Sequence, residues 1–285
     1  MTFLRNTWYA AAWDHEVPHD GLFQRTLLNE SVLFFRDDAG RVQAISNRCP
    51  HRFAPLHMGK RYLHARANYL LATDNIMDLS HIQYLHPATL GSDTVSDAIA
   101  SVKQVGHTVY SNRQTVAEIM PDFLYTAMGF RHGLPVDRWI DVRWDAPANM
   151  LLDAGAVATG CARNEGRSFM LPHLFTPETD KTTHYWFAFC MPKALGEFGR
   201  QVAEEQVESL RIPFTNEDLP MLEAQQRMMG DADFWSLKPV LLPGDAGAIR
   251  ARRVLDGLIA TEQKQASQPA PGLQALSSSS TEVRP

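Results

Sequence analysis

Asp74-Asn75-Ile76-Met77-Asp78-Leu79-Ser80-His81-Ile82-Gln83-Tyr84-Leu85-His86 sets two imidazoles close behind the carboxylate and amide side chains of Asp74, Asn75 and Asp78. Leu70 to Leu85 is helix-compatible, and Pro87 marks its end. Five residues of an ideal helix turn a side chain by roughly 500°, which leaves His81 and His86 about 140° apart around the axis. For both rings to reach one ion the helix must loosen or end near His86, and Pro87 disfavours helical geometry in the residue before it. With 11 histidines in 285 residues, a pair at any one spacing arises by chance about 0.4 times. The spacing alone therefore also suits two helix-surface or half-buried histidines.

The neighbours add to it. Asp78 lies three residues before His81 on the same helical face, where its carboxylate can accept the second imidazole N–H. Asp74 and Asn75 extend the polar strip. Two histidines and one acid form the ligand set of a mononuclear non-haem Fe(II) centre, with one face of the metal left open. A third ligand must come from far along the chain. Glu217-Asp218, at the start of an expected helix, is a candidate, although an acid in a first helical turn ordinarily serves the dipole. Cys49-Pro50-His51 is half the ligand set of a Rieske [2Fe–2S] centre, in which two Cys hold one iron and two His the other. By itself Cys-x-His also describes a buried thiol beside an unrelated histidine.

Composition sets broad limits. The chain is 45% hydrophobic, enough for one large core or two smaller ones. A net charge of -5 and a pI near 6.1 give no reason to expect nucleic acid or an anionic membrane as partner. Met1 to Ala10 lack a basic start followed by an apolar core, and no apolar run approaches bilayer length. Three cysteines (Cys49, Cys161, Cys190) are too few for a disulfide framework. A soluble cytoplasmic protein is expected.

Leu27-Leu28, Val32 to Phe35 and Val42 to Ile45 read as short strands, broken at Asn29-Glu30 and at the turn Asp37-Asp38-Ala39-Gly40. Strand-like runs follow at Ser101 to Tyr110, Gln114 to Ile119, Trp139 to Trp144, Asn149 to Ala158, Arg167 to Phe175 and Thr182 to Met191, an antiparallel meander. Gly196 to Leu210, Asn216 to Met229 (with Asn216 as N-cap) and Asp245 to Gln265 read as helices. Beyond Ala266 the composition is that of a disordered tail.

Arg5-Asn6-Thr7-Trp8-Tyr9, Cys49-Pro50-His51-Arg52-Phe53-Ala54-Pro55-Leu56 and the Asp74–His86 run resemble the oxygenase component of Rieske non-haem iron monooxygenases, of the vanillate and dicamba O-demethylase branch. Val136-Asp137-Arg138-Trp139, Thr176-Pro177-Glu178-Thr179, Glu217 to Glu223 and Asp245-Ala246-Gly247 with Arg252-Arg253-Val254 extend the likeness over nearly all of residues 1–264. The resemblance implies that His81, His86 and Asp218 bind the catalytic Fe(II), that Asn75 sits beside it without ligating, and that Asp78 bridges toward the Rieske cluster of a neighbouring subunit in a homotrimer. It implies an aromatic small-molecule substrate, O2, and a separate NAD(P)H-dependent reductase. One oxygen atom would enter a methyl or ring carbon, a methoxyl then collapsing to phenol and formaldehyde. Pocket residues are expected from the strands and from Pro121 to Pro135.

The chain departs from that family at one place. The pattern calls for a second half, Cys-x-x-His, after Cys49 and His51. Three residues beyond Cys161 and Cys190 stand Asn164 and Lys193, so no Cys-x-x-His exists. Between Leu56 and Tyr69 the sequence passes almost directly to the iron-site lead-in, with a junction near Gly59-Lys60-Arg61. One Cys and one His cannot hold a [2Fe–2S] cluster that needs four ligands, and half a β domain leaves strand edges without partners. The expected fold is α+β: a truncated Rieske-like β remnant over 1–60, a helix-grip catalytic domain (an antiparallel sheet flanked by helices) over 61–265, and a tail over 266–285. Three readings follow: an aromatic monooxygenase component, an electron-starved member of that family, or a non-catalytic binder of small aromatics on the same fold.

Overall fold

The computed structural model describes residues 3–19, 21–37, 39–46, 63–191 and 193–267. Cys49, His51, the 59–61 junction and most of the C-terminal tail lie outside these residues.

Three strands, β1 (Phe23–Leu27), β2 (Glu30–Arg36) and β3 (Val42–Ser46), form a small antiparallel sheet in the order β1-β2-β3. Leu28 and Asn29 join β1 to β2 with φ of 54° and 65°. Two consecutive left-handed residues match the twist of a tight hairpin, and Asn tolerates that conformation readily. The turn also docks elsewhere: its amides donate to the carbonyls of Pro177 and Glu178, both at 2.8 Å.

The second sheet has seven strands in the order β4-β10-β9-β8-β7-β6-β5. These are β4 (Leu63–Ala65), β5 (Ile99–Val105), β6 (Thr108–Glu118), β7 (Val136–Asp145), β8 (Asn149–Ala158), β9 (Arg167–Pro177) and β10 (Thr183–Phe187), all antiparallel pairs. From β5 to β10 each strand lies beside its sequence neighbour, the expected meander. The run Ser101 to Tyr110 is two strands, because Gly106 (φ 59°) turns the chain back at the position where only glycine is unstrained.

Side-chain alternation gives this sheet one apolar face. Val136, Ile140, Val142 and Trp144 in part of β7, Met150 and Leu152 in β8, and Leu171 and Phe175 in β9 are buried. A register shift between Thr115 and Glu118, with Ala117 at φ 51°, turns both of those residues inward. Glu118 is thereby fully buried and receives hydrogen bonds from Arg138 and Ser92.

Helices cover the apolar face: α1 (Tyr69–Met77), α2 (Ile82–Leu85), α3 (Asp122–Met128), α4 (Gly196–Pro213), α5 (Leu219–Met229) and α6 (Ala246–Ala266). Ile76, Met77, Leu210, Leu222 and Leu255 share one core with the sheet, while Leu124, Tyr125 and Met128 of α3 form a second cluster with Val136 and Ala156. Asn68 caps α1 by accepting from the Leu70 amide at 2.9 Å. Arg252 of α6 grips Asp74 of α1 with two nitrogens, at 2.9 and 2.6 Å.

The expected single helix over Leu70 to Leu85 is broken. At Asp78 the backbone is extended (φ -106°, ψ 98°), a 3-10 turn spans Leu79–His81, and α2 supplies the last turn. Asn216 is likewise no N-cap. It lies inside a π-helical turn, Phe214–Asp218, that joins α4 to α5 without interruption. Pro213, lacking an N–H, weakens the ladder where that wider turn begins.

Candidate metal centre

The break at Asp78 solves the angular problem posed by the His81–His86 spacing. A 3-10 turn rotates side chains by a different amount from an α turn, and His86 ends α2 with φ -121° and ψ 42°. The two rings meet edge to face, their centroids 5.4 Å apart. Asp218, about 130 residues away in sequence, reaches the same point from the π turn. One donor atom each from His81, His86 and Asp218 lies within 4.8 Å of the others. Two imidazoles and one carboxylate in this arrangement fit a mononuclear non-haem Fe(II) centre by donor chemistry.

The hydrogen bonds around these residues aim their free nitrogens at one another. His81 Nδ1 lies 2.6 Å from the Asp78 carbonyl oxygen. A carbonyl only accepts, so the proton sits on Nδ1 and Nε2 is left as a lone-pair donor. Burial pulls the His81 pKa down, against the opposing pull of Asp218, which favours that neutral form. The expectation that the Asp78 carboxylate would accept the imidazole N–H is corrected here: its backbone carbonyl does so. The Asp78 carboxylate instead accepts from the amide and hydroxyl of Ser80, at 3.0 and 2.9 Å. It packs so near Gly244 that a Cβ there would lie 2.7 Å from Oδ1.

His86 is 1% exposed. Its Nε2 lies 3.1 Å from Asp218 Oδ1, and its Nδ1 pairs with Glu217 Oε2. Burial lowers its proton affinity, but the Asp218 and Glu217 carboxylates outweigh that and leave the pKa raised. The same negative pair favours a divalent cation at Nε2. Asn75 donates from Nδ2 to Asp218 Oδ1 at 2.9 Å and lies 3.4 Å from His81 Nε2. It therefore orients the acid from beside the three donors.

These residues stand at one wall of a cavity of about 120 Å³. Ile140, Leu152, Leu171 and Phe169 from the strands line it, with Phe123, Leu124, Ala127 and Met128 from α3 on the other side. This agrees with the expected contribution of the strands and of the Pro121–Pro135 segment. Arg138, which lies in one of the motifs quoted above, also lines it, as do two polar side chains the sequence did not single out, Gln206 and His173. His173 is 1% exposed, and burial holds its pKa down at about 4. Alternation offers a signal for it, since it falls between Leu171 and Phe175 on the inward face of β9.

Among the described residues, Cys161 and Cys190 are exposed free thiols, one in the β8–β9 connection and the other beyond β10. No helix among them is long and apolar enough to cross a membrane.

Comparison with known proteins identifies both parts of the chain. Residues 65–261 match the vanillate O-demethylase oxygenase C-terminal domain, and residues 7–67 match the Rieske [2Fe-2S] domain. The oxygenase component of chloroacetanilide N-alkylformylase from Rhizorhabdus wittichii is 30% identical, covering 91% of this chain and 97% of the relative. That alignment runs over 344 positions, more than the 285 residues of this chain, so the relative carries residues with no counterpart here. The vanillate O-demethylase oxygenase subunit of Pseudomonas sp. strain HR199 is 27% identical, covering 93% of this chain and 97% of its own. A crystal structure of dicamba monooxygenase bound to 3,6-dichlorosalicylic acid shares the fold, with a TM-score of 0.81 at 21% identity over 94% of this chain and 100% of that one. The chain belongs to the Rieske-type oxygenase components whose catalytic half is the vanillate O-demethylase oxygenase C-terminal domain.

Proposed function

We propose that this chain is the terminal oxygenase component of an aromatic O-demethylase, or a descendant of one, with His81, His86 and Asp218 holding a mononuclear Fe(II). The observation that carries this reading is the convergence of those three donors on the wall of an otherwise apolar cavity. When bound, Fe(II) supplies the site for activating O2. The protein's own part is to exclude water with Leu152, Leu171 and Phe169, to fix the His81 ring through the Asp78 carbonyl, and to orient Asp218 through Asn75. The aromatic substrate would lie in this cavity, its polar group toward the polar lining residues. A separate NAD(P)H-dependent reductase, a homotrimer with Asp78 facing a neighbour, and a cytoplasmic location complete the reading.

A second reading rests on a specific deficit. A Rieske cluster takes two Cys and two His, and this sequence offers Cys49-x-His51 with no Cys-x-x-His to complete it. Cys161 and Cys190 belong to the large sheet and its exits, so the thiols present do not fit the cluster. We therefore infer an iron centre that the chain alone does not supply with electrons, and turnover only where a partner delivers them.

An iron and acid-labile sulfide assay on the purified chain tests both readings. About one Fe per chain without sulfide is the expected result, with iron lost in His81→Ala and Asp218→Ala. Unchanged iron in those variants would sink the first reading, and stoichiometric sulfide with a [2Fe–2S] EPR signal would sink the second.

A further inference from the structure

We propose that Glu217 is the positioning residue for the His86 half of the metal centre, fixing the ring so that Nε2 is the ligand atom; this rests on the iron-site reading above. Adjacent residues of a regular α-helix point about 100° apart. Within the π turn, Glu217 and Asp218 instead approach the two opposite nitrogens of a single buried imidazole, Glu217 at Nδ1 and Asp218 at Nε2. The ring is thus held at both ends by consecutive side chains.

Glu217 holds more than the ring. Its Oε2 also accepts from the Thr89 hydroxyl at 3.0 Å, and the Thr89 amide donates to the His86 carbonyl at 3.1 Å. One carboxylate oxygen therefore fastens both the imidazole and the turn behind it to the segment that carries Asp218. A carboxylate at Nδ1 can only accept, so it selects the form of His86 in which Nδ1 bears hydrogen and Nε2 faces the metal. The two imidazoles differ in this respect. His81 is oriented by a backbone carbonyl, which no substitution at Asp78 removes, whereas His86 is oriented by a side chain. A single substitution can loosen one ligand and leave the other set.

The full chain, titrated anaerobically with Co(II) and followed by the visible ligand-field absorption of the ion, tests this. Wild type, E217Q, E217A and H86A are compared, with thermal unfolding of each metal-free protein measured in parallel. E217A is expected to bind Co(II) 10- to 100-fold more weakly, with an altered ligand-field spectrum and with H86A as the floor. E217Q keeps an acceptor oxygen and is expected to lose less. Wild-type affinity and spectrum in E217A would overturn the proposal, as would a drop in melting temperature with metal binding unchanged. Should the wild-type chain itself bind no Co(II), the metal-centre reading fails first and the role of Glu217 with it.

Discussion

The Tyr185 phenol oxygen and His173 Nδ1 lie 2.8 Å apart, a buried pair bridging β10 and β9. Burial raises the Tyr185 pKa well above its usual value, so the phenol keeps its proton. It has no other acceptor among the described residues, so its O–H donates to Nδ1, and the neutral imidazole carries its own hydrogen on Nε2. That nitrogen is buried and has no protein partner among the described residues. His173 thus offers a donor in the lining of an apolar cavity. His173→Phe keeps the bulk and removes the donor. Binding of 4-methoxybenzoate, measured by calorimetry, should weaken about 10- to 100-fold, the worth of a hydrogen bond to a charged group, while binding of anisole should change little. Equal losses for both ligands would refute the assignment.

Acid should weaken the fold through two buried histidines. Burial holds His173 at about 4, and burial is also the largest cause that lowers His184 to about 4, despite its hydrogen bond to the Thr26 carbonyl. An unfolded histidine titrates near 6.5. Between pH 4 and 6.5 the unfolded chain therefore binds more protons than the folded one, and stability falls as pH drops through that window. Each residue contributes on the order of 3 kcal/mol across it. Urea unfolding at pH 7.0, 5.5 and 4.5 reads the slope, and His184→Gln should flatten it.

Arg252 is 5% exposed, grips Asp74 with two nitrogens and stacks 4.0 Å over the Phe234 ring. Arg252→Met removes the partner of a carboxylate whose pKa burial already raises. The expected cost is about 3–5 kcal/mol. Adding Asp74→Asn to the same chain should restore part of it, which denaturant titration of the single and double variants can measure.

Gly91 lies against α2 so closely that a Cβ would stand 2.0 Å from the Ile82 carbonyl oxygen. Its amide donates to the His86 carbonyl at 2.8 Å. Gly91→Ala must push the 86–91 turn outward, at a cost of roughly 1–3 kcal/mol. Because that turn holds His86, Co(II) affinity should fall together with the melting temperature; a variant that melts lower yet binds metal normally would separate the two.

The meander is legible because period-two alternation and turn residues act locally: the strand expected over Asn149 to Ala158 has those observed bounds. The ligand types were legible for the same reason, as chemistry written into short motifs. What escaped depends on contacts between distant segments. The break at Asp78 carries no proline or glycine, and its own carboxylate caps the turn that follows. The π turn at Asp218 left one local mark, Pro213 just before it, and reading Asn216 as a cap missed that sign. Glu217 and His173 drew no notice as partners, because one meets His86 across about 130 positions and the other looks, in sequence, like an ordinary core residue.

The docking of the Leu28-Asn29 turn onto Pro177 and Glu178 bears on where this molecule can be cut. Thr176 donates to the Ala10 carbonyl, His184 to that of Thr26, and the Trp186 indole to Glu16. Ala10, Glu16, Thr26 and the Leu28-Asn29 turn are thereby sewn to β9, β10 and the turn between them. The two family matches meet near residue 65, yet these hydrogen bonds tie the residues on either side together. A chain started at β4 would strip the cover from buried His184 and Trp186.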